Sequence, residues 1–179
     1  MVKVNFLNLK VIVLLCVQLA AHCVFSATRT STATGGDWSV GGTWVGGVAP
    51  GSGDEAVIAT TAGNSVTRTS NITVRKLTVN SGAILNISGV GTTVTLSYFL
   101  LPSSSNSGTI TGSGNLTVGA LQGNFSNSGT ISITGTLTIN NPITATNTSV
   151  ISVGNLSRGA SLAFNNNSPG SITVTGTTT

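Results

Sequence analysis

The chain has 179 residues, one domain's worth. Only 6% are charged, against about 25% in an ordinary globular protein. Its net charge of +4 comes from scattered cations with no aromatic platform among them, which argues against a nucleic-acid partner.

Residues 1–26 read as a Sec-type secretory signal peptide. Lys3 and Lys10 give a positive start, and Val11 to Ala21 an apolar core too short to span a bilayer. Val24-Phe25-Ser26 supplies the small residues a signal peptidase reads, so cleavage before Ala27 is expected. The leader carries away both cysteines, Cys16 and Cys23, and the only histidine, His22. The mature chain then has no disulfide, thiol, imidazole or membrane span, and five cations face three acids. Export without disulfides points to a secreted or cell-surface protein of bacteria rather than a small secreted animal domain.

Residues 27–56 form a distinct N-terminal block. It holds both tryptophans, Trp38 and Trp44, and all three acids, Asp37, Asp54 and Glu55. The expected role is a cap, with the indoles laid across the first coil and Asp54 locking a turn. The alternative is a sugar site, in which Trp38 or Trp44 stacks on a pyranose and Asp37 or Asp54 binds its hydroxyls.

Residues 57–179 contain no Asp, Glu, His or Cys, and they repeat. Asn80-Ser81-Gly82-Ala83-Ile84 returns as Asn106-Ser107-Gly108-Thr109-Ile110, as Asn127-Ser128-Gly129-Thr130-Ile131 and, decayed, as Ser168-Pro169-Gly170-Ser171-Ile172. Between the copies, apolar residues alternate with Thr or Ser, as in Val94-Thr95-Leu96 and Leu137-Thr138-Ile139. That is the pattern of short strands with one buried face. Ile84, Ile110, Ile131, Ile151 and Ile172 step by 26, 21, 20 and 21 residues, and Leu116, Leu137 and Leu156 by 21 and 19. About twenty residues per repeat suits one coil of a solenoid. The expected fold is therefore all-β: a right-handed parallel β-helix of about six coils behind an N-terminal cap. Gly82, Gly108, Gly129 and Gly170 are expected to take positive φ at the corners. Asn80, Asn106 and Asn127 are expected to align as an amide ladder. The long first step predicts an insertion near residues 97–105, with Tyr98, Phe99 and Leu100 as a candidate partner loop.

Catalysis is not expected. A serine nucleophile would lack a histidine base, zinc would lack ligands, and Asp54 and Glu55 would point to opposite faces of a strand. No cofactor or metal is expected.

The block from Trp38 to Ile58, with its Trp, Thr-Trp, Gly pair, Pro and Gly-Asp before a Val-Ile strand, resembles the extracellular domain family defined by eight conserved glycines. It also resembles the opening of secreted surface proteins of Bacteroidetes-type bacteria whose bodies are right-handed β-helices. The Asn-Ser-Gly and Leu-Thr-Val rungs resemble adhesin and autotransporter passenger repeats. The resemblance implies an exported structural or adhesive protein of the outer surface, presenting Thr, Ser and Asn to a glycan or a protein. Such proteins usually carry an anchoring domain, and the repeat breaks off near Gly176-Thr177. A missing C-terminal anchor or a self-associating end is therefore expected. The other functional readings are a carbohydrate-binding module built on the tryptophan block and an ice-binding solenoid built on Thr-X-Thr triplets such as Thr93-Val94-Thr95.

Overall fold

The structure is a computed structural model and describes residues 26–98, 103–120, 123–140, 143–159 and 163–179. Most of the expected leader thus lies outside the described residues, as do Phe99 and Leu100 of the expected loop. A strand with one apolar face must lay that face against another element, and this chain stacks one short strand on the next. The result is a parallel β-solenoid.

A first partial turn carries β1 (Thr28–Thr30) and β2 (Gly36–Asp37). Complete turns follow as β3 (Glu55–Ile58), β4 (Ser65–Arg68) and β5 (Ile72–Val74), then β6 (Lys76–Val79), β7 (Ile84–Ile87) and β8 (Thr93–Tyr98). The next is β9 (Ser104–Asn106), β10 (Thr109–Gly112) and β11 (Asn115–Ala120). In the two after it, one long strand serves two faces: β12 (Gly123–Asn127) with β13 (Thr130–Ile139), and β14 (Ile143–Asn147) with β15 (Val150–Arg158). Then β16 (Ala163–Asn166) and β17 (Ser171–Val174) begin a last turn, which closes through a bridge between Thr178 and Leu156. The expected six coils are thus five complete turns with a partial turn at each end.

The turns make three parallel faces. The first face runs β1-β3-β6-β9-β12-β14-β16. The second runs β2-β4-β7-β10-β13-β15-β17, and the third β5-β8-β11 and the later halves of β13 and β15. Inward side chains fall into columns. Val66, Leu85, Ile110, Ile131, Ile151 and Ile172 lie over one another on the second face, and Ile72, Val94, Leu116, Leu137 and Leu156 on the third. All but Ile72 and Ile172 are buried, and each buried aliphatic side chain contributes about 1.5–3 kcal/mol.

Two details of register differ from the sequence reading. The partner of Ile110 is Leu85, not Ile84, which faces outward and pairs with Thr109. The partner of Asn106 is Val79, not Asn80, which is exposed. The cause is corner length: residues 80–83 join β6 to β7, whereas only residues 107–108 join β9 to β10. Extra residues of this long turn also lie in the corner 88–92, where the next turn uses only 113–114.

The corner glycines also divide. Gly82 has φ 78° with open space beside it. Gly108, Gly129 and Gly170 are not in the positive region; a Cβ there would run into backbone oxygens of Asn80 and Ala83, of Gly108, and of Asn147 and Asn167 respectively. Glycine serves these three corners because one turn lies tightly on another. Gly82→Ala should therefore cost about 1–2 kcal/mol, the left-handed penalty alone. Gly129→Ala should cost more, because backbone must move. Denaturant midpoints check the order.

The amide ladder exists, displaced by one turn. Asn106 Nδ2 donates to Asn127 Oδ1 at 2.7 Å, Asn127 Nδ2 to Asn147 Oδ1 at 2.8 Å, and Asn147 Nδ2 to Asn166 Oδ1 at 2.7 Å. Asn106, Asn127 and Asn147 are buried. Below Asn106 the same column turns apolar, as Val79 and Ile58. Val79 offers no donor, and Asn106 Oδ1 is left buried without a partner.

The opening end is closed by the tryptophan block. Its segment 43–45 runs antiparallel along the free edge of β1, with Ser31 bridging Trp44, the Val45 amide donating to the Thr30 carbonyl, and the Thr32 amide to the Thr43 carbonyl. Trp38 and Trp44 are 0% and 2% exposed and pack edge to face, centroids 4.9 Å apart. Trp44 Nε1 donates to the Trp38 carbonyl at 2.7 Å, so the buried indole polar group is satisfied.

Candidate binding face

Between the inward columns lie outward ones, since successive strand residues point to opposite faces. On the third face Thr73, Thr95, Thr117, Thr138 and Ser157 stand in direct register, one per turn. Every rung is a half-buried hydroxyl. Neighbouring rungs are about 4.8 Å apart, the spacing of paired strands. Threonine is stiff at χ1, so the hydroxyls are held without a large loss of freedom on binding. The corresponding column of the second face is mixed: Thr67, Asn86, Thr111, Ser132, Ser152 and Thr173. On the first face Val57, Thr78, Ser105, Ser126, Thr146 and Asn165 align.

A second column flanks the hydroxyls of the third face at the corner. It alternates by turn: Asn71, Thr93, Asn115, Thr136, Asn155, Thr177. Each Asn Oδ1 accepts a hydrogen bond from the backbone amide of the threonine one turn on: Thr93 at 2.8 Å, Thr136 at 2.8 Å and Thr177 at 2.9 Å. The side-chain carbonyl acts there as the backbone acceptor. These hooks fix the corner and so the line of the hydroxyl column beside it. In the sequence, the signal that finds these asparagines is their two-turn alternation with threonine.

The face has the chemistry of a neutral, repetitive surface. Each hydroxyl both donates and accepts, and no charged side chain stands in the central column. Single contacts are weak, and affinity comes from many made at once along one line.

The sites proposed from sequence lie elsewhere. The indole faces of Trp38 and Trp44 are inside the cap, so neither is open to stack on a sugar. Asp37 is exposed beside Ser39, whose hydroxyl and amide hold its carboxyl below the usual range, with Arg68 adding to the effect. Asp54 is turned toward backbone: its Oδ2 accepts from the Gly51 amide at 2.9 Å and its Oδ1 from the Ala27 amide at 3.1 Å. Tyr98 ends β8. Among the described residues no three of His, Cys, Asp and Glu gather as a metal site would need. Comparison with known proteins finds no matching family model, no matching curated protein and no matching solved structure.

Proposed function

We propose that this chain is an exported structural and adhesive rod without enzymatic activity, which holds a polysaccharide or protein surface through the hydroxyl column of its third face. The observation that carries the reading is the register of Thr73, Thr95, Thr117, Thr138 and Ser157. Export rests on the leader read from residues 1–26. Thr117→Lys puts a strongly hydrated charge in the middle of the column. Depletion assays on insoluble polysaccharide particles should show binding weakened about tenfold or more, the equivalent of about 1.4 kcal/mol. The melting temperature should barely move, as for most surface changes. Thr111→Lys, the same change on the second face, should leave binding intact. Equal losses in the two variants would refute the assignment to this face.

Ice binding is the second reading. The triplets recur irregularly, but the register supplies a hydroxyl on every turn, at a fixed interval along a neutral face. Thermal hysteresis that vanishes in the Thr117→Lys variant would favour ice over polysaccharide. The tryptophan sugar site is disfavoured by the burial of both indoles.

A further inference from the structure

Among the described residues, Ala27 is the first whose backbone is hydrogen-bonded into the fold. Its amide nitrogen donates to Asp54 Oδ1 at 3.1 Å, and its carbonyl accepts from the Glu55 amide at 2.9 Å. One residue earlier, Ser26 Oγ is buried without a partner. The Ser26–Ala27 bond is also the one that the sequence marks for a signal peptidase. Two independent observations thus meet at one peptide bond.

We propose that Asp54 is a receptor for the α-ammonium group of Ala27, released when the Ser26–Ala27 bond is cut during export. This rests on the exported reading above. In the cutting step, catalysed by an endopeptidase of the exporting membrane, water adds across the amide. The C–N bond breaks, Ser26 keeps the new carboxylate, and the Ala27 nitrogen leaves as an amine that takes up a proton. A neutral donor thereby becomes a charged one in front of a carboxylate whose side chain is only 19% exposed. A charge-assisted hydrogen bond is about twice as strong as a neutral one.

The surrounding charges leave room for it. Arg29 Nε lies 3.9 Å from Oδ2, the oxygen that Ala27 does not use. Lys76 is engaged by Glu55 at 3.7 Å, and the Arg75 backbone amide donates to the Asp54 carbonyl. Arg29, Arg75 and Lys76 are the cations nearby in the chain's register, and Glu55 is the second acid. Cleavage then does more than free the protein: it creates the charge that pins β1 onto β3, while the cap docks on the opposite edge of β1.

The sign of the pH effect follows. A free α-amine titrates near about 7.7–8.0. Pairing with Asp54 raises that value in the folded chain, so the added stability is full below the unfolded value and is lost as pH rises through the folded one.

The full chain, expressed in an exporting bacterium, should yield a product whose intact mass starts at Ala27. Selective acetylation of its α-amine should lower the melting temperature at pH 6 by about 2–4 °C, what about 1 kcal/mol does to a domain this size, and should change nothing at pH 10. In the Asp54→Asn product, acetylation should have no effect at either pH. Should that variant fail to export, NMR titration of the Ala27 amine in the unsubstituted product decides, with a value above the ordinary range expected. A product that starts elsewhere, identical melting of free and acetylated chains at pH 6, or an ordinary amine titration would overturn the proposal. Failure to export at all would sink the exported reading with it; export with a different cut, or with an indifferent amine, sinks this proposal alone.

Discussion

Asn127→Leu should destabilise the protein by about 3–5 kcal/mol, although leucine is apolar, similar in size and directed into a core. Asn127 is the middle of a buried amide chain, giving to Asn147 Oδ1 at 2.8 Å and receiving from Asn106 Nδ2 at 2.7 Å. Leucine removes both bonds and leaves Asn147 Oδ1 only the 3.3 Å bond from the Ser149 amide, and Asn106 Nδ2 only the Thr130 carbonyl at 3.0 Å. A buried polar group stripped of a main partner costs about 1–3 kcal/mol. Bonds in a chain also polarise one another, so the loss should exceed the sum of two isolated pairs. Asn140→Leu is the control: Asn140 is exposed at the end of a strand, and the change should stay within about 0.5 kcal/mol. Guanidinium unfolding reads both through the midpoint at constant slope. A loss below about 1 kcal/mol for Asn127→Leu would mean that the amides stack without supporting one another.

The second large effect belongs to the cap. Trp38→Ala should cost about 3–5 kcal/mol, the range for emptying a fully buried aromatic site. Part is the lost edge-to-face contact with Trp44, about 0.5–1.5 kcal/mol. Part is the cavity. The edge of β1 depends on the same block, through the bridge from Ser31 to Trp44 and the bonds to Val45 and Thr43. Loosening the block should bare that edge, and bare parallel edges associate. The expected signature is a lower melting temperature, a red-shifted emission from the remaining Trp44 and concentration-dependent aggregation. An unchanged melt would show that the indoles fill space without closing the solenoid.

How far the sequence carried the fold can be judged from single residues. Leu116, Leu137 and Leu156 read as a column and are one, because strands on the third face are joined by corners of similar length there. Ile84 read as the start of another column and is not, because the corner at residues 80–83 differs from the one at residues 107–108. Spacing reports the sum of three corners and cannot apportion it among them. The amide ladder was legible in kind but began one rung late for the same reason: Asn106 sits over Val79. The candidate face was the least legible. Triplets of Thr-X-Thr ask for two hydroxyls on each turn, whereas the structure keeps one hydroxyl column throughout and lets asparagine alternate in the other. The tryptophan block was legible as a cap from apolar bulk alone; that both indoles lie inside followed only from the antiparallel return along β1.

The alternating hooks of Asn71, Asn115 and Asn155 give the rod a parity. Its true building unit is a pair of windings, one that reaches out and one that receives. Excising a single winding would set two receivers, or two reachers, against each other at the splice, while excising a pair would restore the rhythm. Natural variation in the length of such a rod should therefore run in even steps.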